Sequence, residues 1–165
     1  MKTSLMLVVS DADVIHLSKL NKLSILRSLY IEVAIPEYIK SEITGKDNPA
    51  IHEAINSFLK IFATSKDAAE NIAGKHGIHI GEAHVKALGE ELKATLFLSN
   101  ERKVRKAAKE EGFAVVGTIG VILRAVKKGL LDRAEALSLL EKMKSEDFRI
   151  HPDILQKAAK TLDEI

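Results

Sequence analysis

Short apolar runs separated by helical patterns are the feature of this sequence that most restricts its fold. The runs "LMLVVS" (5–10), "ATLFLS" (94–99) and "AVVG" (114–117) are apolar on both faces, which is typical of buried strands in a parallel sheet. "EVAI" (32–35) has the same character, and "KIFAT" (60–64) fits either a strand or the end of a helix. Helical periodicity lies between these runs. The pattern therefore predicts a three-layer α/β/α fold, in which helices cover both faces of a central parallel sheet.

Several helices are expected to begin or end at residues that favour helix termini. Pro36 and Pro49 should each open a helix, since proline's missing N–H costs nothing in the first turn. Gly77 should close a helix, and Thr118 should cap another. The helix after Pro49 is expected to carry an apolar stripe of Ile51, Ile55, Phe58 and Leu59.

The chain shows no repeat, no low-complexity tract and no linker, so we expect one domain over residues 1–165. A helix from about residue 152 should pack on this domain or extend from it.

Composition excludes several classes of protein. There is no cysteine, which rules out disulfides, thiolate metal sites and thiol catalysis. No apolar run approaches the roughly 20 residues of a membrane-spanning helix. The apolar N-terminal stretch runs straight into two aspartates, so we expect no secretory signal and a cytoplasmic protein without a membrane segment.

Polar residues follow two of the predicted strands directly. Asp11 comes after "LMLVVS", and Ser99, Asn100 and Glu101 come at the end of "ATLFLS". In open parallel sheets, ligands bind outside the carboxyl ends of the strands, so both groups should face the same edge. The sequence therefore favours a site at that edge over scattered surface charge.

Glu42 belongs to a second group of candidate acids. On a helix from Pro36 to Thr44, Glu42 falls in one arc with Tyr38, Ile39 and Ile43, which is an unusual place for a solvated carboxylate. A functional site, an exposed helix end and a buried salt bridge all remain open for it.

Glu82 and Glu101 have ordinary explanations as well. Glu82 follows Gly81 at a helix start, where the helix dipole favours a carboxylate, and periodicity groups it with a polar side that includes Lys86 and Gly89. Glu101 lies in a first turn, four residues before Arg105.

Four clustered acids would point to a cation. Neighbouring carboxylates repel each other unless a cation lies among them, and hard oxygen ligands select Mg²⁺ or Mn²⁺. Such ions are the usual means of phosphodiester hydrolysis.

In order and spacing, these segments resemble the PIN-domain family of metal-dependent ribonucleases, which includes VapC-like toxins. "VVSDADVIHLSKL" is similar to the family's first strand and its aspartate, and "IPEYIKSEI" to the segment with the second acid. "GEAHVKAL" resembles the third-acid motif of a branch with a Gly-Glu-Ala sequence, and "LFLSNERKVRKAA" the fourth. "VVGTIGVILRAVKKGLL" resembles the strand and helix that close the domain in that branch.

The resemblance implies a catalytic site of four acids: Asp11, Glu42, Glu82 and Glu101. Asp11, Glu82 and Glu101 would hold Mg²⁺ or Mn²⁺, with Asp13, Ser99 and Asn100 as supporting candidates. Arg102, Lys103 and Arg105 would contact the RNA backbone. The expected activity is endonucleolytic cleavage of single-stranded RNA by a homodimer, as the toxin of a toxin–antitoxin pair with an antitoxin protein as partner.

Other functions would use some of the same residues. Asn100 and Glu101 depart from the family's usual fourth motif, which motivates an alternative: a catalytically weak PIN-fold module that binds RNA or protein. Asp11 and Asp13 form an Asp-x-Asp pair, but the other motifs of haloacid-dehalogenase phosphatases are missing. A zinc site at His76, His79 and His84 is disfavoured by their spacing.

Overall fold

The structure is a computed structural model that describes residues 3–44, 49–94, 96–99, 102–145, 148 and 150–165. Within this range, the side chains of residues 3–9, 11, 12, 31 and 102–104 are outside the description. The chain divides into two compact units, Met1–Gly117 and Thr118–Ile165.

The first unit alternates strands and helices, as the sequence predicts. Its elements are β1 (Thr3–Val9), α1 (Asp11–Lys19), α2 (Ile25–Leu29), β2 (Tyr30–Pro36), α3 (Glu37–Thr44), α4 (Pro49–Ile55), β3 (Leu59–Phe62), α5 (Lys66–His76), α6 (Ile80–Glu91), β4 (Leu96–Leu98), α7 (Arg102–Glu110) and β5 (Ala114–Val116).

The second unit is helical in its described part. It consists of α8 (Thr118–Lys127), α9 (Arg133–Lys142) and α10 (Pro152–Glu164). Asp132 and Glu135 form a capping box at the start of α9, which fixes where this helix begins. Arg133 donates to the carbonyl of Ile165 at 3.0 Å and so links α9 to the end of α10.

The strands described form one parallel sheet in the order β3-β2-β1-β4-β5, which confirms the predicted parallel α/β architecture. β1 is central: Val8 pairs with Ala34 of β2, and Val9 pairs with Leu98 of β4. The chain runs from β1 outward through β2 and β3, then returns to the other side of β1. The order therefore reverses between β1 and β4, where open α/β sheets usually bind ligands.

Several boundaries differ from the sequence-based predictions. Pro36 is the last residue of β2 and not the first of a helix. The helix that begins at Pro49 ends at Ile55, and the first three residues of "KIFAT" belong to the strand Leu59–Phe62, so the predicted stripe extends too far. Apolar spacing alone could not separate these cases, because Leu59 is buried in a strand here. Gly77 closes α5 in the left-handed conformation, as predicted.

Helix α6 is buried along most of its length. All of the residues from Gly81 to Gly89 are buried except Glu82, which is partly exposed. At Gly89 an added Cβ would lie 2.2 Å from Cε1 of Phe97, so only glycine allows the Phe97 ring to lie against the helix. This ring also stacks on Phe113 with centroids 4.7 Å apart, which joins α6, β4 and the segment before β5.

Lys86 is the buried cation of this helix. Its side chain is 0% exposed, and its ammonium lies 2.8 Å from Glu90 and 2.6 Å from Glu111. Glu111 also accepts a hydrogen bond from Nε2 of His76 at 3.0 Å. The network connects α5, α6 and the turn that follows α7.

Among the helices of the described residues, none is long and apolar enough to cross a membrane.

Candidate active site

The ends of β1 and β4 are neighbours at the carboxyl edge of the sheet. Ser10 follows β1, and its N–H donates to the carbonyl of Leu98 at 3.2 Å. Ser99 follows β4, and its N–H donates to the carbonyl of Val116 at 2.9 Å. The backbone at Asp11 and the backbone at Ser99 therefore leave the sheet side by side.

Some of the candidate residues lie beyond what the structure describes. Asp11 is the first residue of α1, but its side chain is not described. Asn100 and Glu101 lie outside the described residues, as do the side chains of Arg102 and Lys103.

Asp13 lies in the first turn of α1 and is fully buried. The Ser10 hydroxyl donates a hydrogen bond to its carboxylate. Ser10 is also the residue that precedes the helix, so the contact joins the N-cap to the third helical residue. Asp13, a supporting candidate at the sequence level, is thus a first-turn acid that is buried and not exposed to solvent.

Ser99 is buried, and its carbonyl accepts a hydrogen bond from the Arg105 guanidinium at 3.4 Å. Arg105 is half-buried and lies on α7, 6 residues after Ser99. The Arg105 guanidinium therefore points back toward the end of β4, where it binds the backbone that follows this strand.

Glu42 of α3 lies close to the first turn of α6, the turn that also carries Glu82. A Cβ built on Gly81 would lie 3.9 Å from Oε1 of Glu42 and 3.6 Å from Cγ2 of Ile39. Glu82 is the next residue of α6, and its side chain is 21% exposed. Because α6 runs back along the sheet and leads into β4, its first turn lies at the edge where the strands end. Glu42 therefore approaches the end of α6 that lies nearest the carboxyl edge of the sheet.

The surroundings predicted for both acids need correction. Ile39 and Ile43 are buried, but Glu42 is exposed and Tyr38 is 45% exposed, so the apolar arc of α3 is narrower than its spacing suggests. Lys86 and Gly89, placed with Glu82 on a polar side of α6, are buried. Helical periodicity could not show this, since Glu111 and Phe97 come from distant parts of the chain.

His79 precedes α6 and caps it. Its Nδ1 accepts the N–H of Gly81 at 3.2 Å and lies 3.9 Å from Oε2 of Glu82. The His79 ring therefore satisfies a free N–H at the start of α6, next to Glu82.

An aromatic pair beside these acids was missed by the sequence analysis. The rings of Tyr38 and His84 stack with centroids 4.2 Å apart and an angle of 9° between their planes. Thr64 follows β3, and its hydroxyl is hydrogen-bonded to Nδ1 of His84. The available signal was the scarcity of aromatic residues: the chain has no tryptophan and two tyrosines, and one of them is in the "IPEYIKSEI" segment.

The three histidines weighed for zinc have separate contacts. His76 binds Glu111, His79 caps α6, and His84 stacks on Tyr38. Over the residues that the structure covers, no group of three His, Asp or Glu side chains is positioned to hold a metal ion. Three of the candidate acids have described side chains: Glu42 approaches the first turn of α6, Glu82 lies in that turn, and Asp13 is buried in the first turn of α1.

Comparison with known proteins identifies the family. No curated protein matches the chain. A family model described as a PIN domain matches residues 7–164, which includes parts of both compact units. PIN domains are generally nucleases that use divalent metals, and the parallel sheet with its flanking helices agrees with an α/β fold of this kind. With nearly the whole chain matched, this protein belongs to the PIN-domain family.

Proposed function

We propose that this protein is a metal-dependent endoribonuclease that cleaves phosphodiester bonds of single-stranded RNA. The observation that carries the proposal is the approach of Glu42 on α3 to the first turn of α6, where Glu82 lies. The proposal assigns this pair to the same site as Asp11, which follows β1. Membership of the PIN-domain family supports the same conclusion.

The donor set fits a hard divalent ion. The candidate ligands Asp11, Glu82 and Glu101 all offer carboxylate oxygens, which suit Mg²⁺ or Mn²⁺ and not softer metals. When bound, the ion would supply positive charge that activates water and offsets the charge of a phosphate. Glu42, which is exposed, would orient the attacking water or ligate from the far side.

Neighbouring residues would support this set. Asp13, Ser99 and Asn100 are candidates for holding the acids in position, and Ser10 already binds the carboxylate of Asp13. Arg102, Lys103 and Arg105 on α7 would guide the RNA backbone by charge.

The test is cleavage of an end-labelled single-stranded RNA with Mn²⁺, with Mg²⁺ or with EDTA. We expect cleavage with either metal, none with EDTA, and none in Asp11→Asn or Glu82→Gln. The matched control is Glu53→Gln, an exposed acid on α4, which should cleave as the native chain does. Undiminished cleavage by Asp11→Asn would refute the proposal.

Binding of Mn²⁺ to the protein is a second test of the proposal, independent of cleavage. The native chain should gain thermal stability on adding Mn²⁺, because an ion that binds only the folded state stabilises it. Asp11→Asn should lose most of this gain while folding normally, since it removes a ligand and also some carboxylate repulsion. RNA binding with neither cleavage nor Mn²⁺ binding would instead support the weak binding module.

The VapC-like branch, a toxin role, an antitoxin partner, a homodimer and a cytoplasmic location stay predictions from the sequence.

A further inference from the structure

We propose that the ring of Tyr38, backed by His84, is a platform on which one base of a single-stranded nucleic acid stacks beside Glu42 and Glu82. The identity of the ligand rests on the proposed function, because the chain is taken to act on single-stranded RNA. The platform would position the strand, whereas the acids would carry out the chemistry.

The ring of Tyr38 is covered on one face and the residue remains partly exposed. His84 lies parallel to the ring, with centroids 4.2 Å apart, within the range of stacked rings, and so covers one face. Tyr38 is nevertheless 45% exposed. The proposal assigns the base to the face turned away from His84.

The supporting ring is held in place. His84 is 5% exposed, and its Nδ1 is hydrogen-bonded to the Thr64 hydroxyl. Burial and this hydrogen bond fix the orientation of the imidazole on which the Tyr38 ring stacks.

The platform lies close to the candidate acids. Tyr38 and Glu42 are four residues apart on α3, so their Cβ atoms are neighbours on one face, about 5–6 Å apart. Glu82 and His84 share the first half of α6. A base stacked on the Tyr38 ring would bring the adjoining sugar and phosphate toward Glu42 and Glu82.

A nucleobase suits this surface for chemical reasons. Single-stranded nucleic acids are bound through stacking on aromatic side chains, which accept any base because each base has a π face. A ring that already stacks on one side loses little freedom when a second ring covers the other. The site would therefore anchor the strand without selecting a particular sequence.

The chain offers a direct optical test. It contains no tryptophan and two tyrosines, of which Tyr30 is fully buried, so the solvent-accessible tyrosine emission belongs to Tyr38. A short single-stranded RNA titrated in EDTA, where the probe stays intact, should quench this emission in the native chain. Affinity would be measured in parallel from the fluorescence anisotropy of the same RNA carrying an end label.

Three variants separate the ring from its surroundings. Tyr38→Ala should weaken binding about 5- to 150-fold, the range that corresponds to the stacking of one base. Tyr38→Phe should bind as the native chain does, because it keeps the ring. Ser41→Ala, an exposed change on the same helix, is the matched control and should have no effect.

The outcomes distinguish this inference from the proposed function. Equal affinity of Tyr38→Ala and the native chain, with normal folding by circular dichroism, would overturn the platform even if metal-dependent cleavage is observed. Failure of the native chain to bind RNA would overturn it as well. Quenching together with the expected loss in Tyr38→Ala would support the platform even if no cleavage occurs, and would then leave the chain as a binding module.

Discussion

The ammonium of Lys86 lies 2.6 Å from the carboxylate of Glu111, although no part of the Lys86 side chain reaches solvent. The two residues are distant in sequence, and their contact ties the middle of α6 to the turn after α7. Glu90, one turn further along α6, accepts a second bond from the same ammonium at 2.8 Å. A buried cation with two acidic partners is therefore part of what fixes the helix that carries Glu82.

Replacement of Lys86 by methionine should destabilise the fold. The change keeps an apolar side chain of similar length but leaves Glu90 and Glu111 facing each other without a cation. Because both carboxylates remain partly solvated, we expect a loss of about 1–3 kcal/mol, below the cost of breaking a fully buried pair. Urea unfolding measures it. Lys66→Met, which removes an exposed ammonium 3.9 Å from Glu70, is the control and should change stability by less than about 0.5 kcal/mol.

The stability of the protein should depend on the ionisation of Glu111 in acid. Hydrogen bonds from the Lys86 ammonium, which has the largest effect, and from His76 lower the pKa of Glu111 from 4.5 to about 2. Because the folded-state pKa lies below the unfolded one, this contribution is complete above pH 4.5 and is lost as the pH falls toward 2. Thermal unfolding of the native chain and of Glu111→Gln between pH 7 and pH 3 would show this. The difference in melting temperature should shrink below pH 4.5; a constant difference would contradict the assignment.

Two glycines in neighbouring helices should respond to alanine in opposite ways. Gly89→Ala would bring a methyl group to within 2.2 Å of the buried Phe97 ring, and we expect a loss of about 1–3 kcal/mol from the resulting overpacking. Gly74→Ala, in α5, has no atom within 4 Å of the added carbon and should gain about 0.5–1 kcal/mol from helix propensity. Denaturant unfolding of both variants is the measurement. Similar effects of the two substitutions would refute the packing argument.

Removal of the Ser10 hydroxyl should leave the Asp13 carboxylate without one of its donors. Since Asp13 is fully buried, we expect Ser10→Ala to lower the free energy of unfolding by about 1–3 kcal/mol. Ser24→Ala provides the comparison: Ser24 also precedes a helix, but it is exposed and its side chain makes no capping bond. A loss in Ser10→Ala no larger than in Ser24→Ala would show that the Asp13 contact is weak.

The order of strands and helices could be predicted because it depends on local patterns. The strands "LFL" and "AVV" are apolar runs too short for helices, and Gly77 ends α5 through its own backbone preference. The sequence predicts a parallel sheet, but it does not predict that β1 lies between β2 and β4. Sequence patterns do not state which strands pair, although the rule for parallel sheets correctly placed the backbones after β1 and β4 at one edge.

The surroundings of the candidate acids could not be predicted from periodicity. A period of 3.6 residues shows which side chains share a face, but not which neighbour covers it. Lys86 looked solvated because its partner Glu111 lies far along the chain, and Tyr38 looked buried because its spacing matched that of Ile39 and Ile43. The stack of Tyr38 on His84 depends on the packing of α3 against α6, for which no local signal exists.

The fit of the Phe97 ring against Gly89 has a consequence for how this sequence can change over time. Any side chain at position 89 requires the ring at position 97 to shrink or move, so neither position can vary freely by itself. Among diverging homologues, we expect substitutions at these two positions to occur together, with a larger residue at one matched by a smaller residue at the other.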